Sequence, residues 1–279
     1  MRPHVGRGWM LSLCVLLLAT NAAVAYAQSG GTNYAPTEGQ PGKDVIWLPS
    51  RETVVDKMLG LARVTPQDYL IDLGSGDGRL VIAAAKRGAR ALGIEYNPDL
   101  VELSKRNAVA EGVAGVTQFV KADIFESDFS QASVITMFLL PDLNLKLRPK
   151  LLQLKPGTRV VSNTFAMADW IPDETAEVGG ECATYCTALL WIVPANVDGE
   201  WRLGPSQLAL SQTFQTISGT LGPEGKRVPI RDGKLVGDRI AFAVDDATYT
   251  GRVQGNVMQG EFKSRRGNGA WSATRVGPR

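Results

Sequence analysis

The chain has 279 residues, 44% of them hydrophobic, with 30 basic against 28 acidic side chains. That is enough apolar material to bury a full core and a second small one, and a net charge of +2 advertises no nucleic-acid surface. The single histidine is His4. Once it is lost with the leader described next, Ser-His-Asp hydrolysis, Cys-His nucleophiles and His-ligated zinc are excluded, and no metal site is expected.

Arg2 and Arg7 precede an apolar run from Trp9 to Ala19, and Ala25-Tyr26-Ala27 supplies a small-x-small cleavage pattern. Residues 1–27 therefore read as a secretory signal peptide, which sends the mature chain to the periplasm or beyond. The rival is an uncleaved anchor, for which the apolar stretch is short. The signal segment is the one expected membrane contact. Without Arg2 and Arg7 the mature chain is neutral. Residues 28–44, rich in Gly, Pro, Ser, Thr and Asn, read as a flexible linker. Pro49-Ser50-Arg51-Glu52 then opens a helix with Ser50 as N-cap, and Val54, Val55, Met58, Leu59 and Ala62 recur at helical spacing.

Tyr69 to Ile82 reads as a short apolar strand, a turn with three glycines, and an alanine-rich helix. Gly74 and Gly76 let the backbone approach a ligand, and the helix directs its positive dipole end there. A dinucleotide loop wants G-x-G-x-x-G, but the third glycine comes one residue early, at Gly78, with Arg79 in the expected place. The Gly-Lys-Ser/Thr of a P-loop is missing. Asp72 and Asp77 would repel pyrophosphate and attract an ammonium or sulfonium, which points to S-adenosylmethionine. The plain alternative is a tight turn. Ala91 to Glu95 reads as a second strand ending in an acid, where a ribose would be held; a surface glutamate is the alternative. Asp123 ends a third strand from Val116 to Ala122, either against an adenine or as an ordinary turn aspartate.

Beyond the loop, strand and helix alternate: a helix over Pro98 to Glu111, a buried strand in Ala132 to Leu140, a helix over Leu143 to Leu154 and a strand over Thr158 to Phe165. This predicts an α/β domain over residues 45–197, a doubly wound, Rossmann-like parallel sheet with its ligand at the carboxyl ends of the strands.

Residues 45–194 resemble class I S-adenosylmethionine-dependent methyltransferases. Within them they are most similar to bacterial relatives of the mitochondrial protein-lysine methyltransferases of the ATP synthase c-subunit and the adenine nucleotide translocase. The stretches that carry this are Trp47-Leu-Pro-Ser50, Val54-Val-Asp-Lys-Met-Leu59, the Asp72–Gly78 loop with Arg79, Glu95-Tyr-Asn-Pro98, Met137-Phe-Leu-Leu-Pro141, Leu143-Asn-Leu-Lys-Leu147, Val160-Val-Ser-Asn-Thr-Phe165 and Asp169-Trp170. The resemblance implies S-adenosylmethionine held by Pro49, Asp72, Gly74, Ser75 and Gly76 at the methionine end, Glu95 and Tyr96 at the ribose, and Asp123 and Ile124 at the adenine. It implies a protein acceptor, and Thr187 to Val193 as an antiparallel strand at the sheet edge. The substrate side should use the loops after later strands, Leu139-Leu140-Pro141 with Asn144, and Phe165 with Asp169-Trp170; Leu140, Asn144 and Trp170 are the candidates. Leu139-Leu-Pro-Asp142 departs from the Asn/Asp-Pro-Pro-Tyr pattern of adenine and glutamine methylation, so a lysine or similar amine is expected. No catalytic acid or base is identified.

Cys182 and Cys186 are the two cysteines of the expected mature chain. Export suggests a disulfide, but an extended strand would hold their Cα atoms about 13 Å apart, too far to bridge. Either Ala183-Thr-Tyr185 turns or the thiols stay free. From about Gly199 the composition shifts to Gly, Thr, Val, Gln and Arg with alternating patches. Residues 198–279 are read as a small antiparallel β-meander or partial barrel, with turns at Asp232-Gly233 and Gln254-Gly-Asn256. That domain serves either substrate recruitment or packing. Two functions stand: a methyltransferase acting on an amine, and an exported non-catalytic binding protein that kept the fold.

Overall fold

The computed structural model describes residues 34–180 and 182–277; the expected signal peptide lies outside them. Among the described residues no helix is long and apolar enough to cross a membrane. Residues 35–279 form one compact unit containing two sheets.

The first sheet is built by α1 (Glu52–Leu61), β1 (Tyr69–Leu73), α2 (Arg79–Lys86), β2 (Arg90–Glu95), α3 (Pro98–Ala110), β3 (Thr117–Lys121), β4 (Val134–Met137), α4 (Pro141–Leu151), β5 (Arg159–Asn163), β6 (Glu174–Glu177) and β7 (Thr187–Ile192). Its strand order is β3-β2-β1-β4-β5-β7-β6. The first five strands are parallel and β7 is antiparallel to both of its neighbours. Alternation along the strands divides the core. Leu70, Val134, Val161 and Leu190 face α1, α2 and α3, whereas Ile71, Ile135, Val160 and Trp191 face α4. Both faces are buried, which is why these strands read as unbroken apolar runs. The order reverses between β1 and β4, and that switch point opens a crevice at their carboxyl ends.

Three local expectations are corrected. Arg51, not Ser50, is the N-cap of α1 and gives no side-chain cap; Ser50 Oγ instead accepts from Asn163 Nδ2 at 3.0 Å, tying α1 to the end of β5. The strand over Thr187–Ile192 is not the edge, because β6 pairs outside it. Asp232-Gly233 is not a turn. It is a bulge with Asp232 at φ +54°, and the turn lies at Gly237-Asp238. A Cβ on Gly233 would stand 2.2 Å from the Ile217 carbonyl oxygen, so the bulge brings two backbones into contact.

The second sheet comprises β8 (Gly199–Leu203), β9 (Ser206–Thr213), β10 (Thr216–Gly222), β11 (Val228–Pro229), β12 (Arg231–Val236), β13 (Arg239–Val244), β14 (Ala247–Gln254), β15 (Val257–Ser264) and β16 (Gly267–Arg275). It runs β11-β10-β12-β13-β14-β15-β16-β8-β9, and β9 pairs β10 again, so eight strands close into a barrel. Trp201, Leu208, Phe242, Met258 and Trp271 fill its interior. The Gly255-Asn256 turn joins β14 to β15 as the sequence suggests.

The barrel packs at the amino ends of the parallel strands. A Cβ on Gly237 would lie 3.0 Å from Gly157 Cα, just before β5, and Ala195 N donates to Gly237 O at 2.8 Å. The Phe214 ring stacks on Trp170 with centroids 5.8 Å apart, and Gln215 Nε2 donates to Ile171 O at 2.7 Å.

Candidate active site

The glycine turn is held from three directions. Gly74 N and Ser75 N donate to Ile94 O, at 2.9 and 3.1 Å, which locks the turn to β2. From α3, Ser104 Oγ donates to Gly76 O at 2.8 Å and Asn107 Nδ2 to Asp77 O at 2.9 Å. Gly76 takes φ +54°, and a Cβ there would stand 2.8 Å from Trp47 Nε1. The indole of Trp47 thus lies directly over the turn.

Around it opens a cavity of about 590 Å³, within the roughly 300–1,000 Å³ range of small-molecule sites. Its walls include Gly74, Glu95, Tyr96, Asp123 and Ile124, which the sequence reading placed at the cofactor. Asp72, Ser75 and Gly76 lie behind that wall, and Pro49 is half-buried beside it, while Trp47 and Leu48 line it directly. Glu95 is fixed by two backbone donors at 2.9 Å: Gly76 N to Oε2 and Asn97 N to Oε1. Its remaining lone pairs can accept from a diol.

Asp72 is buried, and Thr136 Oγ1, its register partner on β4, donates to it at 2.7 Å. Burial pushes its carboxyl up to about 7; the Thr136 hydrogen bond opposes this, and the charges of Glu95 and Asp77 add to it. Asp77 does not reinforce a cation site as expected. Arg79 Nε donates to its Oδ1 at 2.9 Å, and Arg79 Nη1 reaches Ser50 O at 2.6 Å, so its charge is spent bracing the turn.

Asp123 Oδ1 accepts from Phe125 N at 2.8 Å, and its other oxygen meets the Lys43 ammonium. The Lys43 hydrogen bond is the largest influence holding the Asp123 carboxyl below its usual range. Lys43 Nζ also stands 4.7 Å over the Tyr96 ring. Residues 40–44, read from composition as flexible linker, are therefore the start of an ordered arm that runs on to Leu48. Gly39 N donates to Trp47 O and Trp47 N to Gln40 O, both at 2.9 Å, and the resulting arm walls the cavity. Composition hid this, since one tryptophan and one lysine make the contacts.

On the substrate side the three candidates separate. Leu140 is half exposed and lines the cavity. Asn144 is fully buried and braces instead: its Nδ2 donates to Phe165 O at 2.9 Å. Trp170 is also fully buried, packed between Trp191 and Phe214 at the joint of the two sheets. Phe165, expected on the substrate side, does line the cavity. The sequence reading did not single out Phe138 and Tyr185, which complete with it three cavity-lining rings within 5.2–6.0 Å of one another. The Cys182–Cys186 disulfide forms, with Cα atoms 5.9 Å apart, because the intervening residues turn at Tyr185, φ +57°. No barrel residue lines the cavity among those described.

These residues suit S-adenosylmethionine. Carboxylates are at hand to accept from hydroxyls and an amino group, Leu100, Ala122 and Ile124 offer an apolar bed for a base, and Ser75 Oγ is buried without a partner.

A seven-stranded sheet of this order, with a glycine turn and an acid closing β2, defines an S-adenosylmethionine-dependent methyltransferase. Comparison with known proteins narrows the class. The ANTKMT methyltransferase domain family matches residues 72–174. A protein-lysine N-methyltransferase of Saccharolobus islandicus is 44% identical over 137 residues, 48% of this chain and 85% of that protein. The human lysine N-methyltransferase of the ATP synthase c-subunit is 43% identical over 134 residues, 48% of this chain and 57% of its own length. The crystal structure of an RNA methyltransferase from Salinibacter ruber in complex with S-adenosyl-L-homocysteine shares 49% identity at a TM-score of 0.51, covering 54% of this chain and 96% of that one. The chain belongs to this family of S-adenosylmethionine-dependent N-methyltransferases, although it spans little more than half the length of the human relative.

Proposed function

We propose that the chain methylates the side-chain amine of a lysine in a protein. The observation that carries this is the acceptor end of the cavity, walled by Phe138, Leu139, Leu140, Phe165 and Tyr185. Among the described residues these walls offer no carboxylate to hold an amine charged. Lysine must shed a proton from a reference pKa of about 10.4 before it can attack, and desolvation next to the donor's sulfonium charge, beyond the aromatic entrance, favours the neutral form. S-adenosylmethionine, when bound, supplies a methyl group on a sulfonium that leaves without acid assistance. Asp72 would attract the donor's ammonium, Glu95 its ribose and Asp123 its base, after displacing Lys43; Trp47 would exclude water from the turn. The protein's part is to hold donor and acceptor in line. The names of the archaeal and human relatives support a lysine acceptor.

The site is further proposed to work outside the cytoplasm, after removal of residues 1–27. The Cys182–Cys186 disulfide supports an oxidising compartment. Mature protein, methyl-labelled cofactor and an envelope extract should yield a labelled band that protease removes and ribonuclease does not. Glu95→Ala, which takes a charge-assisted acceptor from the ribose and leaves Gly76 N and Asn97 N unpaired, should weaken cofactor binding at least tenfold, about 1.5–3 kcal/mol, and label correspondingly less. Ribonuclease-sensitive label would move the acceptor to RNA. Cofactor binding with no label in any extract would favour the non-catalytic binding protein.

A further inference from the structure

Phe138, Phe165 and Tyr185 come from three separate elements, after β4, after β5 and before β7, yet converge on one stretch of cavity wall. Phe138 and Phe165 are nearly parallel, 15° apart with centroids at 6.0 Å. Tyr185 stands across both, inclined 62° to Phe138 at 5.2 Å and 53° to Phe165 at 5.8 Å. The side chains are presented at some cost. Thr164, just before Phe165, takes φ +62°, and Tyr185 itself takes φ +57°, a region bulky residues rarely adopt. Each is held there: Phe165 O by Asn144 Nδ2 and by Ser162 Oγ at 2.7 Å, and Tyr185 by the five-residue disulfide loop. Tyr185 remains 41% exposed at the mouth, so burial does not explain the strain.

Among the described residues, the carboxylates that line the cavity, Asp44, Glu95 and Asp123, belong to the arm, the end of β2 and the turn after β3, and none comes from the segments carrying the aromatic rings. A cation entering by Phe138, Phe165 and Tyr185 therefore meets aromatic rings rather than a carboxylate of the same segments. The faces of such rings attract ammonium groups, and methylated ammonium above all, because it is weakly hydrated.

We propose that Tyr185, held by the Cys182–Cys186 disulfide, completes with Phe138 and Phe165 an ammonium-binding wall that recognises the acceptor amine and its methylated forms. This rests on the amine-methylation reading of the same cavity. Tyr185 lies outside residues 72–174, the segment that the family model matches.

The test uses the mature protein with S-adenosylhomocysteine bound, titrated with tetramethylammonium and followed by NMR of the aromatic protons. Saturable binding is expected, uncompeted by the neutral isostere tert-butanol. Tyr185→Ala and the double variant Cys182→Ser/Cys186→Ser should each bind tetramethylammonium at least threefold more weakly. Tyr185→Phe should bind like wild type, and affinity for S-adenosylhomocysteine should be unchanged throughout, which certifies the fold. With an amine acceptor, Tyr185→Ala should raise KM and leave kcat. No tetramethylammonium binding by wild type, equal competition by tert-butanol, or wild-type binding by either variant overturns the proposal. Selective tetramethylammonium binding without methyl transfer to any extract would instead leave this wall standing and remove the enzymatic reading.

Discussion

At the residue scale the site turns on Asp72. Its folded-state pKa of about 7 lies well above the ordinary value for an aspartate, so the native state keeps a proton that the unfolded chain releases. The contribution of this group to stability therefore falls as pH rises from about 4 to about 7. Affinity for a cationic donor moves the other way, because the carboxylate must be ionised to attract it. Calorimetry should find S-adenosylmethionine bound roughly tenfold or more weakly at pH 5.5 than at pH 8. Asp72→Asn should be weaker and flat across that range; a slope that persists in this variant would assign the titration elsewhere. Asp72, Glu95 and Asp123 were legible as acids at strand ends. Asp77 was misread because its neutralising partner, Arg79, makes a contact that spacing does not encode. Asn144 and Trp170 sat in the right segments but point into the protein, and a sequence cannot say on which side of a loop a polar or aromatic side chain falls.

At the scale of elements, the parallel strands were plain because burial on both faces leaves continuous apolar runs. Glu174–Glu177 was invisible for the opposite reason. It is mostly exposed and joins the sheet by backbone pairing with β7 and by Thr187 Oγ1 donating to Glu177, with no apolar run to announce it. The start of the arm, residues 40–44, was hidden too, since glycine and proline read as linker whether or not the lysine beside them finds a carboxylate. That arm makes the glycine turn unforgiving. Gly76→Val would force a branched side chain into φ +54° and into the Trp47 indole. Cofactor binding should vanish by calorimetry while the thermal midpoint falls by only a few degrees. Retained binding would mean that the ligand does not approach this turn.

At the scale of the molecule, barrel closure was out of reach of local pattern, because β9 and β10 are hairpin neighbours and also the seam of the ring. The joint between barrel and methyltransferase sheet rests on Trp170, fully buried between Trp191 and Phe214. Trp170→Ala should cost about 3–5 kcal/mol in chemical denaturation. At temperatures where it stays folded, it should bind S-adenosylmethionine as wild type does. A selective loss of acceptor turnover would instead return Trp170 to the substrate side.

The antiparallel course of β7 has a practical corollary. By reversing direction it delivers the chain to the floor of the sheet, where the barrel begins and where the described chain ends beside β8 and the Gly255-Asn256 turn. An affinity tag or reporter fused after residue 277 leaves from the barrel, remote from the reactive mouth. One spliced just ahead of Gln40 is carried on the arm that roofs it. Immobilised assays built on the second design would obstruct the very entrance they set out to measure.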